Sequence, residues 1–134
     1  MQYKSQVRAV PAASTEEAQA FFKRKLGFET DCSDVHFDLS HDIADFVLVD
    51  VRSPEDYAAC HAVGAVNIPH SQMTAKRMAE YPADTLFITY CWGPACNGAT
   101  KGAIRLSALG FAVKEMIGGI EYWQKEGFET DSGD

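Results

Sequence analysis

Short apolar runs that alternate with helical patterns constrain the fold of this chain more than any other feature of its sequence. Residues 46–51 and 85–90 are dominated by apolar and β-branched side chains, which is typical of strands buried on both faces. Residues 65–69 and 113–117 are two further candidate strands. Between the second run and the last strand, small and apolar residues recur at helical spacing over residues 99–109. Strands that alternate with helices predict a parallel α/β sheet with right-handed connections and helices on both faces.

Capping signals predict where the helices begin and end. Ser14 and Glu17 form a capping box that opens a first helix, and Gly27 is its predicted stop. Ser53 followed by proline predicts the start of another helix. Further helices are predicted from Ser33, over residues 71–81 and over residues 120–126.

Length and charge narrow the possible functions. A chain of 134 residues is long enough for one domain with a sizeable core. Twelve Lys and Arg against nineteen Asp and Glu give a net charge of −7, which argues against a nucleic-acid partner. The apolar runs are too short to cross a bilayer, and the first residues lack the apolar segment of a secretory signal. We therefore expect no membrane association and a cytoplasmic location, while the sequence predicts no oligomeric state.

The cysteines are predicted to be reduced. They are Cys32, Cys60, Cys91 and Cys96. In a chain without an export signal, such residues are better interpreted as thiols than as a disulfide framework. No two of them form a Cys-x-x-Cys pair, and the histidines lie in unrelated segments, so we predict no metal site.

Residues 90–98 combine a potential nucleophile with the small residues of a tight loop. They read Tyr-Cys-Trp-Gly-Pro-Ala-Cys-Asn-Gly. This segment links a predicted strand to a predicted helix, so it lies at the carboxyl edge of the sheet, where ligand crevices form. Two glycines and a proline allow a tight loop whose amides, with the helix N-terminus behind them, attract an anion. The same field favours a nucleophilic thiolate at Cys91. From this pattern alone, an inert buried thiol is an equally good interpretation of Cys91.

Two signatures in this chain resemble those of the rhodanese-like (sulfurtransferase) family. The first is carried by residues 50–57, His61, Gly64, Ala65 and residues 67–69. The second, an active-site signature, is carried by Tyr90, Cys91, Gly93, Gly110 and Phe111. Gly118 and Gly119 followed by Trp123 are similar to the final turn and helix of the family. The resemblance covers residues 33–127, which leaves an N-terminal helix and lead-in segment at 1–32 and a short acidic tail at 128–134, whose last four residues we expect to be frayed.

The resemblance implies a three-layer α/β/α domain with a central, mostly parallel sheet of about five strands. It also implies that Cys91 attacks the outer sulfur of thiosulfate or a related donor and becomes a persulfide. Cyanide, a small thiol or a protein cysteine would then accept the sulfur, without a cofactor or metal. The loop residues implied to bind the substrate are Trp92, Gly93, Pro94, Ala95, Cys96, Asn97 and Gly98.

Supporting roles are predicted around this loop. We expect Asp50 and Arg52 to tie the end of the first strand to neighbouring backbone, near the mouth of the site. His61 is predicted to be a hydrogen-bonding scaffold residue, because no Ser and Asp near it suggest a triad.

Two other functions stay open at this point. One is a non-catalytic rhodanese-like interaction module. The other is a phosphatase-like or arsenate-reductase-like enzyme, because the stretch from Cys91 to Gly110 resembles the longer loops of those enzymes. A Cys-x5-Arg loop needs an arginine to clamp the oxyanion, but this chain has Asn97 there, which we expect to help cap the following helix.

Cys96 admits two interpretations. It acts either as a resolving thiol that forms a disulfide with Cys91, or as a small side chain packed against the sheet. Because disulfide geometry is demanding, we favour packing.

Overall fold

The core of the protein is a parallel sheet of five strands. The computed structural model describes residues 2–43 and 45–134. The strands in this part of the chain are β1 (Glu29–Asp31), β2 (Val47–Asp50), β3 (His61–Ala62), β4 (Val66–Asn67), β5 (Leu86–Tyr90), β6 (Ala112–Ile117) and β7 (Thr130–Asp131). Five of them form the sheet in the order β1-β6-β5-β2-β4, and every neighbouring pair in it is parallel. The predicted fold class is confirmed.

Six α-helices and two short 3-10 turns accompany the strands in the described residues. The helices are α1 (Thr15–Phe28), α2 (Cys32–Ser40), α3 (Pro54–Ala59), α4 (Ala75–Met78), α5 (Gly98–Ala108) and α6 (Gly119–Lys125). Ser14 caps α1 by accepting a bond from the Glu17 N–H at 3.2 Å, as the capping box predicts. None of these helices is both long and apolar enough to cross a membrane.

The two faces of the sheet bury separate apolar clusters. Along β5, Phe87 belongs to the cluster under α4 and α5, whereas Ile88 belongs to the cluster under α2 and α6. The same alternation occurs in β2, where Leu48 and Val49 point to opposite clusters. Since consecutive side chains of a strand face opposite sides, a run that is apolar at every position fits a sheet covered on both faces.

The N-terminal segment contributes to the sheet. Strand β1 pairs with β6, with Glu29 opposite Glu115, so the segment expected only to lead into the domain supplies an edge strand. Helix α1, which ends at Phe28, one residue beyond the predicted stop, buries none of its residues. Its apolar side chains lie largely in solvent, and Leu26 is 71% exposed.

The C-terminal residues are packed, so the prediction of a frayed tail is wrong. Strand β7 pairs antiparallel with β3, and the Gly133 N–H donates to the carbonyl of Ala58 at 2.8 Å. Phe128 stacks on His36 with a centroid distance of 3.9 Å. These contacts extend the packed structure beyond the predicted boundary at residue 127.

The prediction of a single helix over residues 71–81 is also wrong. A 3-10 turn covers His70–Gln72, and α4 begins only at Ala75. Between them, Met73 leaves the helical conformation and buries its side chain in the core, and Thr74 is extended and caps α4 by accepting a bond from the Arg77 N–H.

Candidate active site

The loop between β5 and α5 lies at the carboxyl edge of the sheet, where the sequence places it. Cys91 follows the last residue of β5 directly, and Gly98 is the first residue of α5. Within the loop, the Cys96 N–H donates to the carbonyl of Gly93 at 3.0 Å, which closes a tight turn. Because its N–H is engaged in this bond, Cys96 cannot donate to an anion. Pro94 has no N–H to donate. Trp92, Gly93, Ala95, Asn97 and Gly98 stay as predicted amide donors.

Helix α6 holds the loop in place from the neighbouring strand end. The Ile120 N–H donates to the Cys91 carbonyl at 3.0 Å, and the Glu121 N–H donates to the Trp92 carbonyl at 2.8 Å. The orphan donors of the first turn of α6 are thereby used to fix the backbone on which Cys91 sits. The sequence pattern did not reveal this anchor.

Gly119 permits the anchor. Its φ is +62°, and a Cβ at this position would lie 2.5 Å from the Cys91 carbonyl oxygen and 2.7 Å from the Gly93 nitrogen. Only a residue without a side chain allows the turn after β6 to approach the loop this closely.

The side chain of Cys91 lies against the start of α5. It is 7% exposed, and a Cβ on Gly98 would lie 2.7 Å from the Cys91 Sγ. Gly98 therefore leaves the space that this sulfur occupies at the positive end of an 11-residue helix. Asn97 makes no side-chain capping bond to α5, so the prediction that it caps this helix is wrong.

Cys91 and Cys96 form a disulfide, with their Cα atoms 6.3 Å apart. This separation lies within the range that disulfides accept. The prediction that all four cysteines are thiols is therefore wrong for this pair, and the packing interpretation of Cys96 is incomplete. The turn closed at Gly93 explains the difference, because it folds a five-residue separation back on itself.

A buried ion pair supports one side of the loop. The Arg52 Nη2 lies 2.8 Å from the Asp50 Oδ2, and Arg52 also donates to the Cys60 carbonyl. Its guanidinium lies 4.5 Å from the centroid of the Trp92 ring, which is 51% exposed at the mouth of the loop. Burial opposes the charge of Arg52, but the hydrogen bond and the charge of Asp50 outweigh it and raise the pKa of Arg52.

Two clefts of opposite character meet at the disulfide. A cleft of about 500 Å³ on the side of β1 and β6 is lined by Cys91 and Cys96 together with the acidic residues Glu29, Asp31, Glu115 and Glu126. We call it the acidic cleft. It was missed in the sequence because β1 is short and polar, so nothing there indicated that Glu29 and Asp31 reach the sheet.

The second cleft, of about 400 Å³, lies on the side of β2 and is lined by both cysteines, His70, Trp92, and the oppositely charged Arg52 and Asp56. We call it the basic cleft, because two exposed cations of α5 lie near it. Partial burial, followed by the charges of Lys101 and Arg105, lowers the pKa of His70. Both cations belong to α5, which packs against the 3-10 turn that begins at His70, so they lie on this side of the loop.

The other two cysteines are free thiols, and their contacts indicate a structural role. The Cys32 Sγ lies 3.6 Å from the Gly119 carbonyl and 3.7 Å from that of Ile117. Burial, with the charges of Glu126 and Asp31, raises its pKa to about 11, which keeps it protonated and unreactive near neutral pH. The Cys60 Sγ accepts a bond from the Gln124 side chain at 3.4 Å.

His61 has a scaffolding environment. Its Nδ1 lies 2.7 Å from the Tyr57 carbonyl, and its ring stacks on that of Tyr57 at 3.7 Å. Across residues 2–43 and 45–134, no group of three or more His, Cys, Asp or Glu side chains is arranged to hold a metal ion.

Comparison with known proteins shows which family this chain resembles. The model of the rhodanese-like domain family matches residues 37–126. Thiosulfate sulfurtransferase 16 (chloroplastic) of Arabidopsis thaliana is 31% identical over 110 residues, which are 73% of this chain and 92% of that protein. The HTH-type transcriptional regulator Rv0324 of Mycobacterium tuberculosis is 39% identical over 87 residues, but these are 64% of this chain and only 38% of the regulator.

A solved structure agrees over most of the chain. The crystal structure of the BH2092 protein from Bacillus halodurans superposes with a TM-score of 0.86 and is 43% identical. The match covers 89% of this chain and 87% of that one, so it includes more than the residues of the family model.

Proposed function

Because this chain belongs to the rhodanese-like domain family, we propose that it is a sulfurtransferase that carries sulfane sulfur on Cys91. The observation that supports this proposal most is the position of the Cys91 Sγ against Gly98, at the positive end of α5. A sulfur in that place is stabilised as an anion, first as a thiolate and then as a persulfide.

The first half-reaction loads the sulfur. The Cys91 thiolate attacks the outer sulfur of thiosulfate, and the sulfur–sulfur bond of the donor breaks. Sulfite leaves with the electron pair, and Cys91 keeps the outer sulfur as a persulfide anion. The first-turn amides of α5 and the loop amides stabilise the negative charge on that outer sulfur.

The second half-reaction unloads it. A thiophilic acceptor such as cyanide, a small thiol or a protein cysteine attacks the outer sulfur, and the Cys91 thiolate leaves and is regenerated. No metal or organic cofactor takes part in either step. The cycle starts from reduced Cys91, which a reducing compartment such as the cytoplasm supplies.

The basic cleft is the proposed entrance for the donor. Thiosulfate is a dianion, and the protein as a whole carries a charge of −7. Lys101 and Arg105 offset that repulsion on the side of β2, whereas Glu115 and its acidic neighbours strengthen it on the other side.

The direct test is thiocyanate formation from thiosulfate and excess cyanide by the protein kept reduced by a dithiol throughout the assay. We expect turnover by the wild type and none by Cys91→Ser. Cys60→Ser, which removes a thiol that lines neither cleft, is expected to behave as the wild type. No turnover by the reduced wild type, under conditions in which a known sulfurtransferase is active, would contradict the proposal and leave a non-catalytic interaction module.

A further inference from the structure

We propose that Cys96 resolves the Cys91 persulfide, so that the protein releases hydrosulfide reductively besides transferring sulfur to an acceptor. This inference rests on the proposed function, because it needs the persulfide on Cys91. It adds a second outcome for the same sulfur and a second reacting residue in the loop.

The loop geometry brings the two cysteines together without a rearrangement. Their sulfurs are bonded, and their Cα atoms lie 6.3 Å apart. The turn that achieves this is fixed internally by the bond from the Cys96 N–H to the Gly93 carbonyl. It is fixed externally by the bonds from α6 to the carbonyls of Cys91 and Trp92. Cys96 is therefore held within reach of the Cys91 Sγ by the same contacts that position Cys91 itself.

The resolving step balances within the protein. The Cys96 thiol gives up its proton, and its sulfur attacks the Cys91 Sγ. The bond between that Sγ and the outer sulfur breaks, and the outer sulfur leaves with the electron pair and takes the proton as hydrosulfide. The sulfane sulfur is reduced, and the sulfurs of Cys91 and Cys96 are oxidised to the disulfide that the structure shows.

A dithiol completes the cycle. Cys96 is half-buried and lines both clefts, so the disulfide is open to attack from outside. The dithiol exchanges with the disulfide, becomes a disulfide itself and returns Cys91 and Cys96 to thiols. Without a dithiol, the protein stops in the oxidised state, in which Cys91 can accept no further sulfur.

No other described cysteine fits this role as well. Cys32 lines the acidic cleft, but its sulfur lies against two backbone carbonyls, and its raised pKa keeps it protonated. Cys60 is engaged with Gln124 and lines neither cleft. Each of them therefore supplies a control for Cys96.

The experiment treats the fully reduced protein, freed of reductant, with one equivalent of thiosulfate. Sulfite, hydrosulfide and the intact mass are then measured. For the wild type we expect one equivalent each of sulfite and hydrosulfide, and a mass lower by two hydrogens. For Cys96→Ser and Cys96→Ala we expect sulfite, no hydrosulfide, and a mass higher by one sulfur. Cys60→Ser is expected to match the wild type.

The outcomes separate this inference from the proposed function. If the wild type keeps the extra sulfur as stably as Cys96→Ser does, Cys96 does not resolve the persulfide, and only this inference is overturned. If Cys96→Ser releases no sulfite and gains no sulfur, no persulfide forms, and both proposals are overturned. With a dithiol present, hydrosulfide formation by Cys96→Ser should be at least about tenfold slower than by the wild type, because the intramolecular step is lost.

Discussion

Two glycines determine how closely other parts of the chain approach Cys91. Gly98 leaves room for the Cys91 sulfur, and Gly119 lets the turn after β6 contact the backbone of the loop. The sequence indicates that the loop contains Cys91 and glycines, but it does not indicate which glycine lies against the sulfur. The close approach of Gly119 to the Cys91 carbonyl joins the ends of two different strands, so no local sequence pattern indicates it either.

Gly119→Ala is predicted to destabilise the protein by about 3 kcal/mol, because the new Cβ meets backbone atoms that cannot move aside and the φ is +62°. Denaturant unfolding measures this change. Gly27→Ala is the matched control, since Gly27 is helical and has no atom within 4 Å of the added Cβ. We expect that control to be neutral or stabilising by up to about 1 kcal/mol. Equal effects of the two substitutions would contradict the role given to Gly119.

Helices and strands with a regular apolar pattern are predictable from the sequence, whereas short strands that form by pairing with a distant segment are not. Strands β2 and β5 and helix α5 are predictable because their apolar residues repeat regularly. The pentapeptide Gly-Phe-Glu-Thr-Asp occurs at residues 27–31 and again at 127–131. Its first copy enters the central sheet beside β6, and its second pairs with β3. Two or three polar residues carry no strand signal, so these strands form because a partner edge is available.

The pairing of Asp50 with Arg52 fastens the end of β2 beside the loop. Asp50→Asn is predicted to cost about 3–5 kcal/mol of folding free energy, because it leaves the buried guanidinium without its counter-charge. The control is Arg77→Ala in the exposed pair with Glu80, for which we expect a loss of at most about 1 kcal/mol. Denaturant unfolding compares the two. A cost for Asp50→Asn no larger than that of the control would contradict this structural role.

At the scale of the whole molecule, charge is distributed unevenly around the reacting sulfur. The acidic cleft and the basic cleft meet at Cys91, so an anion approaches on one side more easily than on the other. Composition gives the net charge of −7, but only the folded chain shows that Glu29 and Glu115 lie on one side and Lys101 and Arg105 near the other.

Removing both cations of α5 tests this asymmetry. For Lys101→Gln combined with Arg105→Gln, we predict a KM for thiosulfate that is about two- to fivefold higher at low salt, with a smaller change at high salt. Lys23→Gln combined with Arg24→Gln makes the same change in net charge on α1 and should leave KM unchanged. An equal rise in KM for both double variants would show that net charge, rather than its placement, governs donor binding.

The central claim is that Cys91 carries the transferred sulfur, and peptide mass mapping of the reduced Cys96→Ser variant after exposure to thiosulfate tests it most directly. This variant removes the predicted resolving residue, so the persulfide should persist long enough to be located. We predict one added sulfur on the peptide that contains Cys91, lost on treatment with cyanide, and none on the peptides that contain Cys32 or Cys60. An unmodified Cys91 peptide, or added sulfur on another cysteine, would contradict the account.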